Sequence, residues 1–199
     1  VSGGWCGVLK FDSSGNLYAG GSFTKAGGIS ASNIAKWDGI NWSALGGGLD
    51  SICHGIIPAA NGSLYVGGAF NSAGGLPARG VALWDGSKWN SLNSAISGHC
   101  ICMALDSEGN LYTGHQAGSG NCIYKWNGST WSRMGGRNTC FSMTSDAAGN
   151  IYSQSQFQSN GIWNSSIARL NKSSQTWDVI GVINTTVCWS LLFDNNGDL

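Results

Sequence analysis

Three histidines, one glutamate and seven cysteines carry most of the chemical reach of this 199-residue chain. His54, His99 and His115 stand at unrelated spacings and complete no metal-binding or triad pattern. Glu108 is the only glutamate, so a Glu/Glu acid–base pair for glycoside hydrolysis is excluded and only aspartates remain for such work. Signatures of the G-x-S-x-G, H-E-x-x-H and P-loop types are absent. Arg79, Arg133, Arg137 and Arg169 fall at non-equivalent places and suggest no anion-gripping cluster. We therefore expect no catalytic residue, no metal ligand and no cofactor.

Other residue sets have two readings. The D-x-x-G-N segments at Asp12–Asn16, Asp106–Asn110 and Asp146–Asn150 look like calcium loops, as does Asp194–Asp198. A calcium loop needs several acidic or carbonyl oxygens at alternating positions, and here one Asp is followed by Ser, Ala or Glu. Turn chemistry through the Asp side chain and the Gly explains them better. The pairs Trp37/Trp42, Trp84/Trp89 and Trp126/Trp131 have the makings of a sugar-stacking platform, but their regular recurrence favours cross-strand pairs covering a sheet edge. Trp163 differs, because it falls in a crossover segment, Gln158–Ser166, with no counterpart elsewhere. A tryptophan on such a loop is the one candidate binding residue. Cys6, Cys53, Cys100, Cys140 and Cys188 recur at one repeat position. Copies related by rotation aim their Cβ atoms the same way round, which disfavours disulfides among them. We expect small buried hydrophobes there, with Cys102 and Cys122, which break the repeat, as the best candidates for any disulfide.

The elements that must position these residues follow from an internal repeat. The motif G-[N/S/D]-[L/I]-Y occurs at Gly15–Tyr18, Gly62–Tyr65, Gly109–Tyr112 and Gly149–Tyr152, and a fifth copy begins at Gly197. Successive Leu/Ile positions are 47, 47, 40 and 48 residues apart. Each copy reads as an alternating strand, a tight turn, a second strand, a Gly/Ser-rich crossover, a third strand ending in Trp or Leu, an Asp-Gly or related turn, and a fourth strand opened by Trp. Four short antiparallel strands per ~46 residues make a β-propeller blade. The fold class is accordingly all-β, about four blades plus one extra first-type strand near Val187–Phe193, in a single array over residues 1–199. The repeats fall at about 1–48, 49–96, 97–136, 137–182 and, in part, 183–199. In the first strand one face should be bulky (His54, Ile56, Pro58 in the second copy) and the opposite face should begin with the cysteine. The fifth first-type strand predicts that the array continues into further blades, making this chain a fragment of a larger propeller.

Composition narrows the function classes. Lys plus Arg and Asp plus Glu are 10 each, so no basic excess exists to neutralise nucleic-acid phosphates. No apolar run reaches the ~20 residues of a membrane helix, so membrane insertion is not expected. Ten tryptophans and 42% hydrophobic residues argue against disorder.

The run Leu64-Tyr65-Val66-Gly67-Gly68, followed by Val81–Gly86 and Trp89, resembles a kelch repeat. The longer stretch Leu17–Leu49 is similar to units of large secreted or cell-surface bacterial proteins, and to repeats of the fungal cortical polarity-marker family. The likeness weakens in the third copy, which has Gly114-His115, and in the fourth, where Ser153-Gln154 replaces the diglycine and Leu170 the first Trp. It implies a kelch-like propeller outside the cytoplasm, extracellular or at the cell surface, without catalytic residues. Galactose oxidase shares such a propeller, but its copper constellation has no match here. The expected function is a non-catalytic module for protein or glycan binding and adhesion. The alternatives are a propeller lectin with repeated carbohydrate sites, or the propeller part of a secreted enzyme.

Overall fold

The computed structural model describes residues 1–92, 96, 98–116, 122–134, 140–159, 162–183, 191, 194 and 199, with the backbone alone at 157–159 and 162–163. Each of the four full repeats forms a four-stranded antiparallel sheet in chain order, and no helix occurs among the described residues. The first blade holds β1 (Trp5–Phe11), β2 (Leu17–Ser22), β5 (Ile34–Trp37) and β6 (Trp42–Ala44), with a small hairpin of β3 (Lys25–Ala26) and β4 (Ile29–Ser30) in its crossover. The second holds β7 (Cys53–Pro58), β8 (Leu64–Gly68), β11 (Val81–Trp84) and β12 (Trp89–Ser91), with hairpin β9 (Ser72–Ala73) and β10 (Leu76–Pro77). The third is β13 (His99–Leu105), β14 (Leu111–Gln116), β15 (Cys122–Trp126) and β16 (Trp131–Arg133). The fourth is β17 (Cys140–Ser145), β18 (Ile151–Ser159), β19 (Ile162–Asn171) and β20 (Thr176–Ile183).

Contacts divide the chain into two compact units, Val1–Cys100 and Ile101–Leu199. The first is centred on Ile34, Leu45, Leu49, Cys53, Ile56, Leu64, Val66 and Phe70. The second is centred on Cys102, Tyr112, Ile123, Met134, Cys140, Met143, Ile151 and Leu170. Both clusters draw on adjacent blades, so apolar burial between sheets holds each unit together.

The crossover hairpins explain the Ala-Gly-Gly motif. Ala26 is buried, while Gly27 and Gly28 have φ of 56° and 87°, the pair of positive values a two-residue hairpin turn needs. Gly74 in the second hairpin also lies flat on an indole: a Cβ there would fall 2.5 Å from Cδ1 of Trp89.

The repeated cysteine precedes a register shift, at Cys6/Val8, Cys53/Gly55 and Cys140/Ser142. This β-bulge overturns the expected opposition of faces on the first strand, because the extra residue breaks the two-residue alternation. Cys53 and Ile56 point the same way, and both meet the place where a Cβ on Gly20 would sit. The diglycine therefore has two jobs. Gly20 takes the cysteine of the next blade, and Gly21 and Gly68 admit the bulged backbone of their own blade's first strand. Burial of the repeated cysteines holds for Cys53, Cys100 and Cys140 but not for Cys6, which is exposed. Cys188 and most of the fifth first-type strand lie outside the described residues; Leu191 is buried, and its N–H donates to Oγ of Ser142 at 3.0 Å.

One crossover expectation needs correction. Gln158–Ser166 is not a loop: β18 and β19 run on as a long hairpin, paired from Tyr152↔Arg169 out to Ser159↔Ile162. His115 lies on β14, opposite Cys122 and 2% exposed. In both places serine, glutamine and histidine continue a ladder that Gly-Gly breaks off in the first two blades.

Candidate functional site

The residue sets with two readings resolve first. In the D-x-x-G-N turns the aspartate is consumed by local donors. Oδ1 of Asp12 accepts the N–H groups of Ser14 and Asn16 at 2.9 Å, and Oδ2 accepts Nδ2 of Asn16 at 2.8 Å and the Tyr18 hydroxyl at 3.2 Å. Asp106 and Asp146 repeat this arrangement with Tyr112 and Tyr152 at 3.3 and 3.1 Å. Burial opposes ionisation of Asp12 and Asp146, but the bonds from Asn16 and Asn150 outweigh it and hold both carboxyls below the ordinary range. Burial, then the Asp12 charge, push the Tyr18 hydroxyl up to about 12. Asp194 is described but Asn195–Asp198 lie outside the described residues. Among the described residues no group of three or more His, Cys, Asp or Glu side chains is placed to hold a metal ion.

The tryptophan pairs are cross-strand neighbours, Trp37↔Trp42, Trp84↔Trp89 and Trp126↔Trp131, with ring centroids 5.7, 5.3 and 5.3 Å apart. Trp89 is buried, and its Nε1 donates to the Leu45 carbonyl at 2.8 Å, stitching blade 2 to the segment leaving blade 1. Trp163 pairs with Gln158 near the tip of the β18–β19 hairpin, and its side chain lies outside the described residues. His54 is held below its usual range by burial and then by the charge of His99. His115 contacts Oγ1 of Thr113 at 3.1 Å and lies edge-on to Tyr124.

Within the second unit a cleft of about 620 Å³ opens between blades 3 and 4. Ile123, Arg133 and Met134 form one wall; Trp177, Thr176, Gln175 and Val179 form the other; Ser153, Ser155, Ser166 and Ala168 lie along blade 4. Alternation along β18 and β19 sets the floor: residues two apart share a face, which puts Ser153, Ser155, Ser166 and Ala168 together and leaves Gln154 and Ser165 behind them. Gln154 is fully buried, and its Nε2 donates to Oγ of Ser165 at 3.1 Å.

The repeat shows why the space is open. Ser153 stands where blade 2 has Val66, and Ser155 where it has Gly68. Blade 4 also lacks the Ala-Gly-Gly hairpin that lies on the indole in blade 2. Trp177 is the counterpart of Trp89, yet its Nε1 is buried without an acceptor among the described residues. Among the described residues the cleft thus offers an indole, three serine hydroxyls, an amide and one guanidinium, with no carboxylate in its lining. Of these residues the sequence named Arg133, as an isolated cation, and Ser153, as a departure from the motif, while Trp177 opens the fourth strand where the repeat places a Trp. By register the Gly-Gly pair is replaced at Gln154-Ser155, one residue beyond the Ser153-Gln154 read from the sequence, and that loss was the available signal.

No protein-family model matches the chain, and no curated protein matches it. Solved structures do. A gluconolactonase of Xanthomonas campestris, XC5397, superposes with a TM-score of 0.64 at 17% identity, over 98% of this chain and 67% of that one. The WD40 repeats of RRP9 superpose with a TM-score of 0.60 at 12% identity, over 97% of this chain and 58% of that one. The extracellular domain of BT4673 from B. thetaiotaomicron superposes with a TM-score of 0.62 at 15% identity, over 89% of this chain and only 22% of that much longer chain. At such identities the likeness speaks for the fold alone. With four four-stranded antiparallel sheets in an all-β chain, it defines a β-propeller.

Proposed function

We propose that this chain is a non-catalytic, kelch-like propeller module acting outside the cytoplasm, and that the cleft between blades 3 and 4 seats its ligand. The observation that carries the reading is the makeup of that cleft. An indole and aliphatic groups offer surface to an apolar ring face, and Ser153, Ser155, Ser166 and Gln175 offer uncharged hydrogen-bond partners. A neutral, hydroxyl-bearing ligand such as a glycan matches this better than an anion, for which one arginine is a thin complement. The kelch-like motifs and the extracellular neighbour support a place at the cell surface or beyond it. A glycan array on the purified chain tests the reading. Binding should fall at least tenfold in Ser153→Val, which restores the blade 2 residue and fills the floor. Binding unchanged by that substitution would place the ligand elsewhere.

The neighbouring gluconolactonase favours a second reading, the propeller of a secreted enzyme. Turnover of a sugar lactone that Ser153→Val abolishes would establish it in place of the first.

A further inference from the structure

Cys102 on β13 and Cys140 on β17 bring their Sγ atoms to 3.1 Å of each other across the interface of blades 3 and 4. Both side chains are buried in the core of the second unit. The repeat supplies an internal control. In the first unit, a Cβ on Gly20 would fall 2.8 Å from Cγ1 of Val8 and 2.5 Å from Sγ of Cys53. In the second, a Cβ on Gly114 would fall 2.5 Å from Sγ of Cys102 and 3.2 Å from Sγ of Cys140. The same seat, a bare glycine flanked by two neighbouring first strands, holds a valine and a thiol in one unit and two thiols in the other. Cys102 stands where the first copy has Val8, the second Gly55 and the fourth Ser142.

We propose that Cys102 and Cys140 form a disulfide clasp between blades 3 and 4 under oxidising conditions. Closing it takes about 1 Å of approach, from 3.1 Å to the ~2.05 Å of the bond. Gly114 leaves the sulfurs room to rotate toward each other. The six described cysteines are thiols in this structure, so the reaction needs an oxidant, and a small disulfide such as oxidised glutathione suffices. One cysteine thiolate attacks the small disulfide and expels one glutathione thiolate. The second cysteine thiolate then attacks the mixed disulfide and expels the other. Two S–H bonds are lost, one S–S bond forms, and two electrons reduce oxidised glutathione to two thiols. This pairing differs from one between equivalent repeat positions, which rotation disfavours, and it leaves Cys122 on β15 out. It stands independently of what the adjacent cleft binds.

The full chain is incubated with oxidised glutathione, denatured with N-ethylmaleimide, cut with trypsin and weighed. The expected result is one link between the peptides 89–125 and 138–169, with five of the seven cysteines alkylated, seven minus the two in the link. Cys102→Val restores the valine of the first unit, should fold, and should lose the link with all six remaining thiols alkylated. Seven alkylated cysteines in the parent chain would overturn the proposal, as would a link between those peptides that survives Cys102→Val.

Discussion

Asp12 and Tyr18 show how one turn secures a blade at the level of single atoms. The hydroxyl of Tyr18 donates to Oδ2 of Asp12, which keeps the phenol protonated and the carboxylate charged. All five tyrosines are raised, in each case by burial first. A raised folded-state value means that the protonated form is favoured on folding. That stabilisation is whole below the unfolded value near 10 and is lost as pH climbs beyond it. Denaturant midpoints measured at pH 9, 10 and 11 should therefore fall, and a flat profile would contradict the assignment. The lowered values of Asp12 and Asp146 have the opposite sign: their contribution is present above about pH 4 and is lost as pH falls through the lowered values. Trp89 gives a second residue-level test. Trp89→Phe removes the indole donor and leaves the Leu45 carbonyl with the Gly48 N–H alone, at about 0.5–1.5 kcal/mol by equilibrium unfolding. Trp177→Phe should cost less, because Nε1 of Trp177 has no acceptor among the described residues to abandon.

At the scale of elements, much was legible and the misses have physical causes. The third strands Ile34–Trp37 and Val81–Trp84 end at the Trp where the repeat places them, because β-branched residues, alternation and the Trp–turn–Trp pattern agree there. The small hairpins β3–β4 and β9–β10 went unread, since two-residue strands carry no periodicity and only the paired glycines mark them. The β-bulge was invisible for a related reason: alternation read along one strand cannot register an inserted residue without the partner strand. The cleft was the least legible feature. Its floor is made by serines replacing Val and Gly, and a serine in a strand announces neither burial nor binding. The hairpin turn itself can be tested. Gly28→Ala meets no atom within 4 Å but has to hold φ near 87°, so strain alone should cost roughly 1–2 kcal/mol. Gly27→Ala adds a clash with Trp42 to the same strain and should be the worse of the two in thermal unfolding.

For the whole molecule, charge and exposed surface matter most. The formal net charge at neutral pH is zero, with only 10% of residues charged. Trp5, Leu9 and Phe11 on β1 are exposed at 50, 58 and 68%. Little electrostatic repulsion then opposes contact between apolar surfaces. Solubility, measured as the precipitant needed to reach half-saturation, should pass through a minimum near pH 7. It should rise on the acid side as carboxylates and histidines protonate, and on the alkaline side as lysines and thiols lose protons. A monotonic dependence on pH would show that exposed surface other than charge governs it.

The seat of each interblade cysteine has a consequence for how such chains are recombined. Gly20 belongs to one repeat and Cys53 to the next, as Gly114 and Cys140 do. A crossover placed between repeats therefore parts each cysteine from the glycine that accommodates it. Gln154 fills the glycine position in the fourth repeat, and placing that repeat directly before the Cys53 repeat would drive a buried amide into a sulfur. Within each unit the module that keeps glycine and cysteine together is thus out of phase with the blades: it runs from the second strand of one blade to the first strand of the next, and shuffled libraries cut on that frame should retain folding where libraries cut between the two blades of a unit lose it.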